Sequence, residues 1–524
     1  MRKLAWLYLF ALFLAFNVAA SAQSEVGEVS FANSGSPVAQ GPFLRGLALL
    51  HNFEYSSAAE QFRKAQTIDP DFALAFWGEA MTYTHPVWMQ QDLAAARAVL
   101  GRLGATPEAR LARAKTERER DYLRTLEVLY GDGTKNERDF HYADAMAALH
   151  QRYPDDVDAT AFYALSLLGT AHNGRDFGIY MRSAALLEEV FPTHLHHPGV
   201  LHYLIHSYDD PVHAPLGMRA ARLYGSVAPN AGHALHMTSH IFVAVGQWDD
   251  VIAANEQAMR VVDQDRAGKG KLPKTCGHYP SWLHYGYLQE RRLDDAKRQL
   301  DACRQMAVRE AAGGPGVEGD DSLVSSFAEM RLFQGIETGR WETDPVALPE
   351  GRFLDTKLIL AYGEALAASG DRTALRAAAA RLRERQRELL AEIAKEKRNV
   401  TVDRSYAEVV VQQIDSLERL KEGKTDDGLA ALRKVAERES AMPMEFGPPA
   451  IQKPSSELLG DELLALGRNA EAEQAYQSAL ARAPGRTLSL QGLLRAQQAL
   501  GKTEAAARTR AQLQQYVRET PVAR

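Results

Sequence analysis

Residues 453–486 read KPSSELLGDELLALGRNAEAEQAYQSALARAPGR, and residues 39–72 read AQGPFLRGLALLHNFEYSSAAEQFRKAQTIDPDF. Laid in register, the two stretches place small or aromatic residues at the same positions: Gly460 and Gly46, Ala472 and Ala58, Tyr476 and Phe62, Ala479 and Ala65, Pro484 and Pro70. The two stretches are copies of one repeated unit.

The pattern resembles the tetratricopeptide repeat (TPR), a 34-residue helix–turn–helix unit with small residues where its two antiparallel helices touch. Blocks starting at 73, 161, 198, 232, 277 and 487 fit the same frame more loosely. Residues 116–153 form a degenerate helix pair ending at Pro154, and 353–440 read as two long hairpins rich in Ala, Leu, Glu and Arg. Strand signals are nearly absent; Val400-Thr401-Val402 is too short to count. The resemblance implies an all-α, right-handed superhelical solenoid whose first helices line a concave groove. The second, fifth, ninth, twelfth and thirteenth places of each repeat usually face it. The chain then divides into a flexible N-terminus (23–38), a histidine-rich array (39–310), a linker (311–321), helical hairpins (322–440), a proline-rich loop (441–454) and terminal repeats (455–520).

Ahead of these, residues 1–22 have the form of a secretory leader: Arg2 and Lys3, an apolar run from Leu4 to Phe16, and Ala20-Ser21-Ala22 as a small-residue cleavage site. The expectation is an exported, periplasmic or secreted protein of the bacterial TPR type, with no membrane span once the leader is removed. The 524 residues carry 61 basic and 67 acidic side chains; losing Arg2 and Lys3 leaves 59 basic residues, a charge of −8. A balance this acidic does not fit a general nucleic-acid binder. Two cysteines exclude a disulfide-rich scaffold and a four-cysteine zinc site.

The histidines carry the functional signal. Twelve of the sixteen fall between His172 and His284. On the repeat frame His202 and His206 take the fifth and ninth places of one block, and His236 and His240 the same places of the next. Residues four apart share a helix face. Two such pairs on adjacent helices ~8–10 Å apart can converge on one cation. His233 and His278 fall at second places, His172 at a twelfth, and His51 and His85 at thirteenth places. His202, His206, His236, His240, His172 and His233 are the candidate metal ligands. Asp209 and Asp210 end the helix of the first pair, as ligands, orienting partners or simple helix-end residues. Imidazole without thiolate favours copper first and zinc second; the scarcity of carboxylates argues against calcium, magnesium and manganese. A closed four-histidine set implies structure or storage, and three ligands with an open position allow catalysis; both stay open at this point, as does a metal-free scaffold that binds a peptide or envelope protein. Trp77, His85, Tyr208, His278 and Tyr285 are the candidate groove residues, suited to a peptide, a protein or an aromatic small molecule.

Several other patterns carry nothing. Gly314 to Gly319 matches G-x-G-x-x-G but follows no strand. There is no H-E-x-x-H, G-x-S-x-G or C-x-x-C. Two further expectations follow from helix arithmetic. Cys276 and Cys303 end up within roughly 7 Å along the axis of an antiparallel pair, which permits a disulfide in an oxidising compartment. The stretch from Ala441 to Pro454, with four prolines, is either a connector or a lid that brings Glu445 to the histidines.

Overall fold

The computed structural model describes residues 25–314, 322–342, 344–395 and 401–516. The leader expected at 1–22, residues 315–321 of the expected linker and residues 517–520 lie outside them. Among the described residues there are 24 α-helices and a single strand pair, Thr84–His85 with Gln90–Gln91. The all-α class is therefore as expected, and the degenerate pair is present as Glu117–Leu129 and Lys135–Arg152. Each of those two helices starts on a capping box, Thr116 with Glu119 and Thr134 with Glu137. No helix among the described residues is long and apolar enough to cross a membrane.

The chain forms two compact units, one holding residues up to Asp209 together with Pro215–Ile241, the other Asp210–Ala214 together with the rest. In the first, the ring of Phe62 lies against Gly46 of its own repeat and Gly78 of the next. A Cβ at Gly46 would stand 3.1 Å from that ring, and one at Gly78 would overlap it. In the second, Tyr476 sits in the same way between Gly460 and Gly492, with a Cβ at Gly460 2.9 Å away and one at Gly492 overlapping the ring. The residues shared by the two quoted stretches are thus the contact on which one helix pair stacks upon the next.

The second unit departs from a linear stack, in which a repeat touches only its neighbours. Thr487 bonds Gln289 through both backbone and side chain. Beside it the fully buried Arg486 reaches Glu457 (2.7 Å), Glu337 (2.9 Å) and the Tyr285 hydroxyl (3.1 Å). A buried guanidinium is tolerated only when its charge is paired and its donors used. Here that requirement ties the last repeats back to the helices His278–Gln289 and Leu323–Thr338, and the unit closes on itself.

The segment 23–38, expected to be flexible, is packed from residue 25 onward. Val26, Val29 and Phe31 are buried, the Glu28 amide donates to the His196 carbonyl, and buried Asn52 donates to the Val26 carbonyl at 2.8 Å. Apolar residues spaced along a polar segment provide this anchor, and no helix period reveals it.

The stacking contact makes a direct prediction. Gly492→Val forces a side chain into the Tyr476 ring and should cost ~1–3 kcal/mol. Gly101→Ala, in a helix where a Cβ meets nothing within 4 Å, should be neutral or stabilising by up to ~1 kcal/mol. Urea denaturation followed by circular dichroism measures both; equal effects would remove the glycine–aromatic contact from the account.

Candidate metal site

The helix Pro198–Tyr208 begins with His197 as its cap, whose Nδ1 accepts the Val200 amide, and with proline at its first position. Every residue from Pro198 to Tyr208 is buried. The i,i+4 spacing stacks His202 and His206 on one face, ring centroids 4.8 Å apart. The helix Gly232–Val245 supplies His233, His236 and His240, also buried, with His236 and His240 5.0 Å apart. Across the two helices His202 meets His233 at 5.1 Å and His206 meets His240 at 5.9 Å.

The hydrogen bonds fix which nitrogens face inward. His202 Nδ1 lies 2.6 Å from the His51 carbonyl oxygen. A carbonyl only accepts, so Nδ1 carries the proton and Nε2 the lone pair. That Nε2 is buried without a hydrogen-bond partner, and so is His206 Nε2. His240 Nδ1 lies 2.6 Å from the Asp209 carboxylate, and its Nε2 lies 3.1 Å from His236 Nε2. Burial lowers the His202 pKa to about 3, against the opposing effect of its bond to His51, and holds His206 well below the usual histidine range. Both are neutral near pH 7, the form that binds metal.

Within the first unit, three sets of side chains have donor atoms all within 4.8 Å of one another: His202, His206 and His233; His206, Asp209 and His240; and His51, Asp158 and His197. Two nitrogens each ~2.0–2.1 Å from a zinc ion and at the tetrahedral angle lie ~3.4 Å apart. The 3.1 Å between His236 and His240 is close to that edge. Asp209, whose other oxygen Oδ1 is buried and unpartnered, acts on His240 as metal-site carboxylates do, by orienting the ring through its distal nitrogen. Phe53 covers the cluster, 4.2 Å from His202 and 5.7 Å from both His206 and His233. It holds a left-handed backbone, φ 57°, which a bulky residue adopts only under constraint.

The support behind His202 is a third buried cluster. His51 Nε2 lies 2.9 Å from Asp158 and His51 Nδ1 3.0 Å from the Tyr203 hydroxyl, while His197 Nε2 reaches the same Asp158 oxygen at 3.3 Å. His197 Nδ1 accepts an amide, so its proton sits on Nε2 and no lone pair is left there for a metal. The two imidazoles hold the Asp158 carboxyl well below its usual range, against the effect of burial. This cluster fixes His51, and through its carbonyl the His202 ring. Gly199 makes room for it, since a Cβ there would overlap the His51 ring.

His172 Nε2 pairs with Asp139 at 2.9 Å and joins none of the donor sets among the described residues. His194 and His196 lie on a loop, bonded to the Val190 carbonyl and to Glu28. Trp77 is 1% exposed, packed between Phe31, Tyr122 and Phe162; it is core, because its helix, Ala73–Met81, is buried on every side. Tyr285 is likewise core, held by Arg486. The Tyr208 hydroxyl donates to Glu188 at 3.3 Å. His85 stacks on Tyr55 at 4.0 Å, on the short ribbon that also presents Trp88 to His233 at 5.7 Å. Sequence reasoning missed that ribbon, and with it Phe53 and Trp88; its Thr-His-Pro-Val-Trp stretch has no strand alternation to read. His278 belongs to the second unit, next to Trp282. In that unit the Cys276 and Cys303 sulfurs are at bonding distance, with Cα atoms 4.3 Å apart.

No protein-family model matches the chain, and no curated protein matches it. Among solved structures it is similar to the APC/C heterotetramer Cut9–Hcn1, at 11% identity, 92% of this chain, 81% of that one and a TM-score of 0.38. A human IFIT1 dimer with m7Gppp-AAAA gives 14%, 94%, 91% and 0.34, and the P58(IPK) TPR domain 12%, 89%, 99% and 0.22. Likeness at this level carries no argument about ligand or activity; the repeat architecture rests on the helix packing described above.

The cysteine pair gives a prediction. Thiol titration under denaturant should find no free thiol before reduction and two after it. Reduction should cost roughly 3–4 kcal/mol of stability, as expected for closing a loop of this length. Two thiols in unreduced protein from an oxidising compartment would contradict the bond.

Proposed function

We propose that this chain is an exported helical-repeat protein of bacterial type that holds a transition-metal ion in a buried histidine site. The ligands are drawn from His202, His206, His233, His236 and His240. Asp209 and the His51 carbonyl orient them. The observation that carries this reading is the pair of buried nitrogens, His202 Nε2 and His206 Nε2, that have no hydrogen-bond partner. An unsatisfied buried polar group costs ~1–3 kcal/mol, and a cation removes that cost at both rings together. Asp209, buried and 2.6 Å from His240 Nδ1, orients that ring. Imidazole donors without thiolate favour copper first and zinc second. A fourth of these nitrogens on the ion closes the site for structure or storage, whereas three with a position left open give the arrangement that metal-assisted catalysis needs.

Export rests on the charged, apolar and small-residue order of residues 1–22. Tyr55, His85 and Trp88, half-buried beside His233, form the face on which an aromatic group of a small molecule or peptide would rest.

His206 is shared by the set with His202 and His233 and the set with Asp209 and His240, so its loss breaks both. Tag-free protein should take up about one copper or zinc ion per chain, measured by elemental analysis after dialysis. His206→Ala should reduce uptake at least ~10-fold, while His172→Ala leaves it unchanged. Helical circular dichroism should be preserved in both. Equal uptake by wild type and His206→Ala would refute the site, and no uptake by wild type would leave a metal-free scaffold for peptides.

A further inference from the structure

The histidine cluster of the first unit divides into two donor groups. Ligand atoms bound to one ion at ~2.1 Å lie no more than ~4.2 Å apart. His202, His206 and His233 bring donor atoms within 4.8 Å of one another, and so do His206, Asp209 and His240. Among the described residues, no such set joins His202 or His233 to Asp209 or His240. The helix Pro198–Tyr208 accounts for the division. His202 stands about one turn before His206, and Asp209 about one turn after it, so the two groups flank His206 along the helix axis.

Each group has its own unmet atom. In the first it is His202 Nε2 and in the second Asp209 Oδ1, both buried without a hydrogen-bond partner. The other Asp209 oxygen is taken by His240 Nδ1 at 2.6 Å, so Oδ1 is the atom left for a cation. An ion among His202, His206 and His233 leaves Asp209 Oδ1 unmet. An ion among His206, Asp209 and His240 leaves His202 Nε2 unmet. A buried acceptor without a partner costs stability in either case, and two ions remove both costs. His206 belongs to both groups, and its Nε2 is unpartnered too. An imidazole has two nitrogens on different edges of its ring, so one ring can serve two ions.

We propose that the cluster is a two-metal site bridged by the His206 imidazole. One transition-metal ion sits among His202, His206 and His233, and a second among His206, Asp209 and His240. This rests on the histidine site proposed above and adds a second ion to it. As the second ion binds, the bridging ring passes its N–H proton to solvent. The first cation repels the second, so the second loads only at higher free metal and is lost on dialysis.

Titration of the tag-free full chain with copper(II), followed by electron paramagnetic resonance at liquid-helium temperature, tests it. The first equivalent should give the signal of an isolated copper(II), one spin per chain. The second should bind yet bring the total well below two spins, because two copper(II) ions on one imidazole couple magnetically. Asp209→Asn should weaken uptake of the second equivalent roughly ten-fold or more and abolish the coupling. If circular dichroism shows that this variant does not fold, the wild-type spin count decides. Saturation at one ion, or two ions with the full intensity of isolated spins, would overturn the two-metal site and leave the single-ion reading standing. No copper bound at all would overturn both. Coupling retained in a folded Asp209→Asn variant would overturn the proposed second position.

Discussion

A helix buried on every side cannot carry two imidazoles unless their nitrogens have something to bind. That constraint governs the first unit. The helix Pro198–Tyr208 has no face left to solvent, so bulk water does not reach His202 and His206. One nitrogen of His202 is given to a backbone carbonyl and the other is aimed at its neighbours. The same burial keeps the rings uncharged, which removes the repulsion that would otherwise scatter so many histidines. What makes the cluster unstable as bare packing is what makes it suitable as a ligand set.

Its surroundings follow from that demand. Asp158 draws in His51 and His197, Gly199 gives His51 room, and His51 in turn holds His202. Asp209 holds His240 from the opposite helix end. Phe53, in a left-handed conformation it would not adopt alone, closes the assembly with its ring. The N-terminal segment takes part as well, because Asn52, next to Phe53, is bonded both to Val26 and to Tyr224. Strain and buried polarity are concentrated here, as they are where a structure is organised for binding.

The repeat spacing was legible because it is a packing rule: Gly46 with Phe62 and Gly460 with Tyr476 meet as the quoted stretches imply. The register of His202 and His206 against His236 and His240 was legible for the same reason, since 34 residues of offset place equivalent side chains on adjacent helices. Other features had no local signal. His172 and Trp77 depended on loosely fitted blocks, where a shift of one or two places turns a groove position into a core one. Asp209 ends a helix, and nothing in its neighbours says that His240 will reach it. The closure of the second unit through Arg486 depends on residues more than a hundred positions apart, Glu337 and Tyr285. The sequence shows such a residue only as one arginine among many.

X-ray absorption at the metal edge of copper- or zinc-loaded, tag-free protein reads the ligand set itself. An ion held by the histidine cluster gives a first shell of three or four nitrogens at ~2.0–2.1 Å, with the outer-shell scattering of imidazole rings and no sulfur. A shell of oxygens alone, as from adventitious surface carboxylates, or one containing sulfur would contradict it.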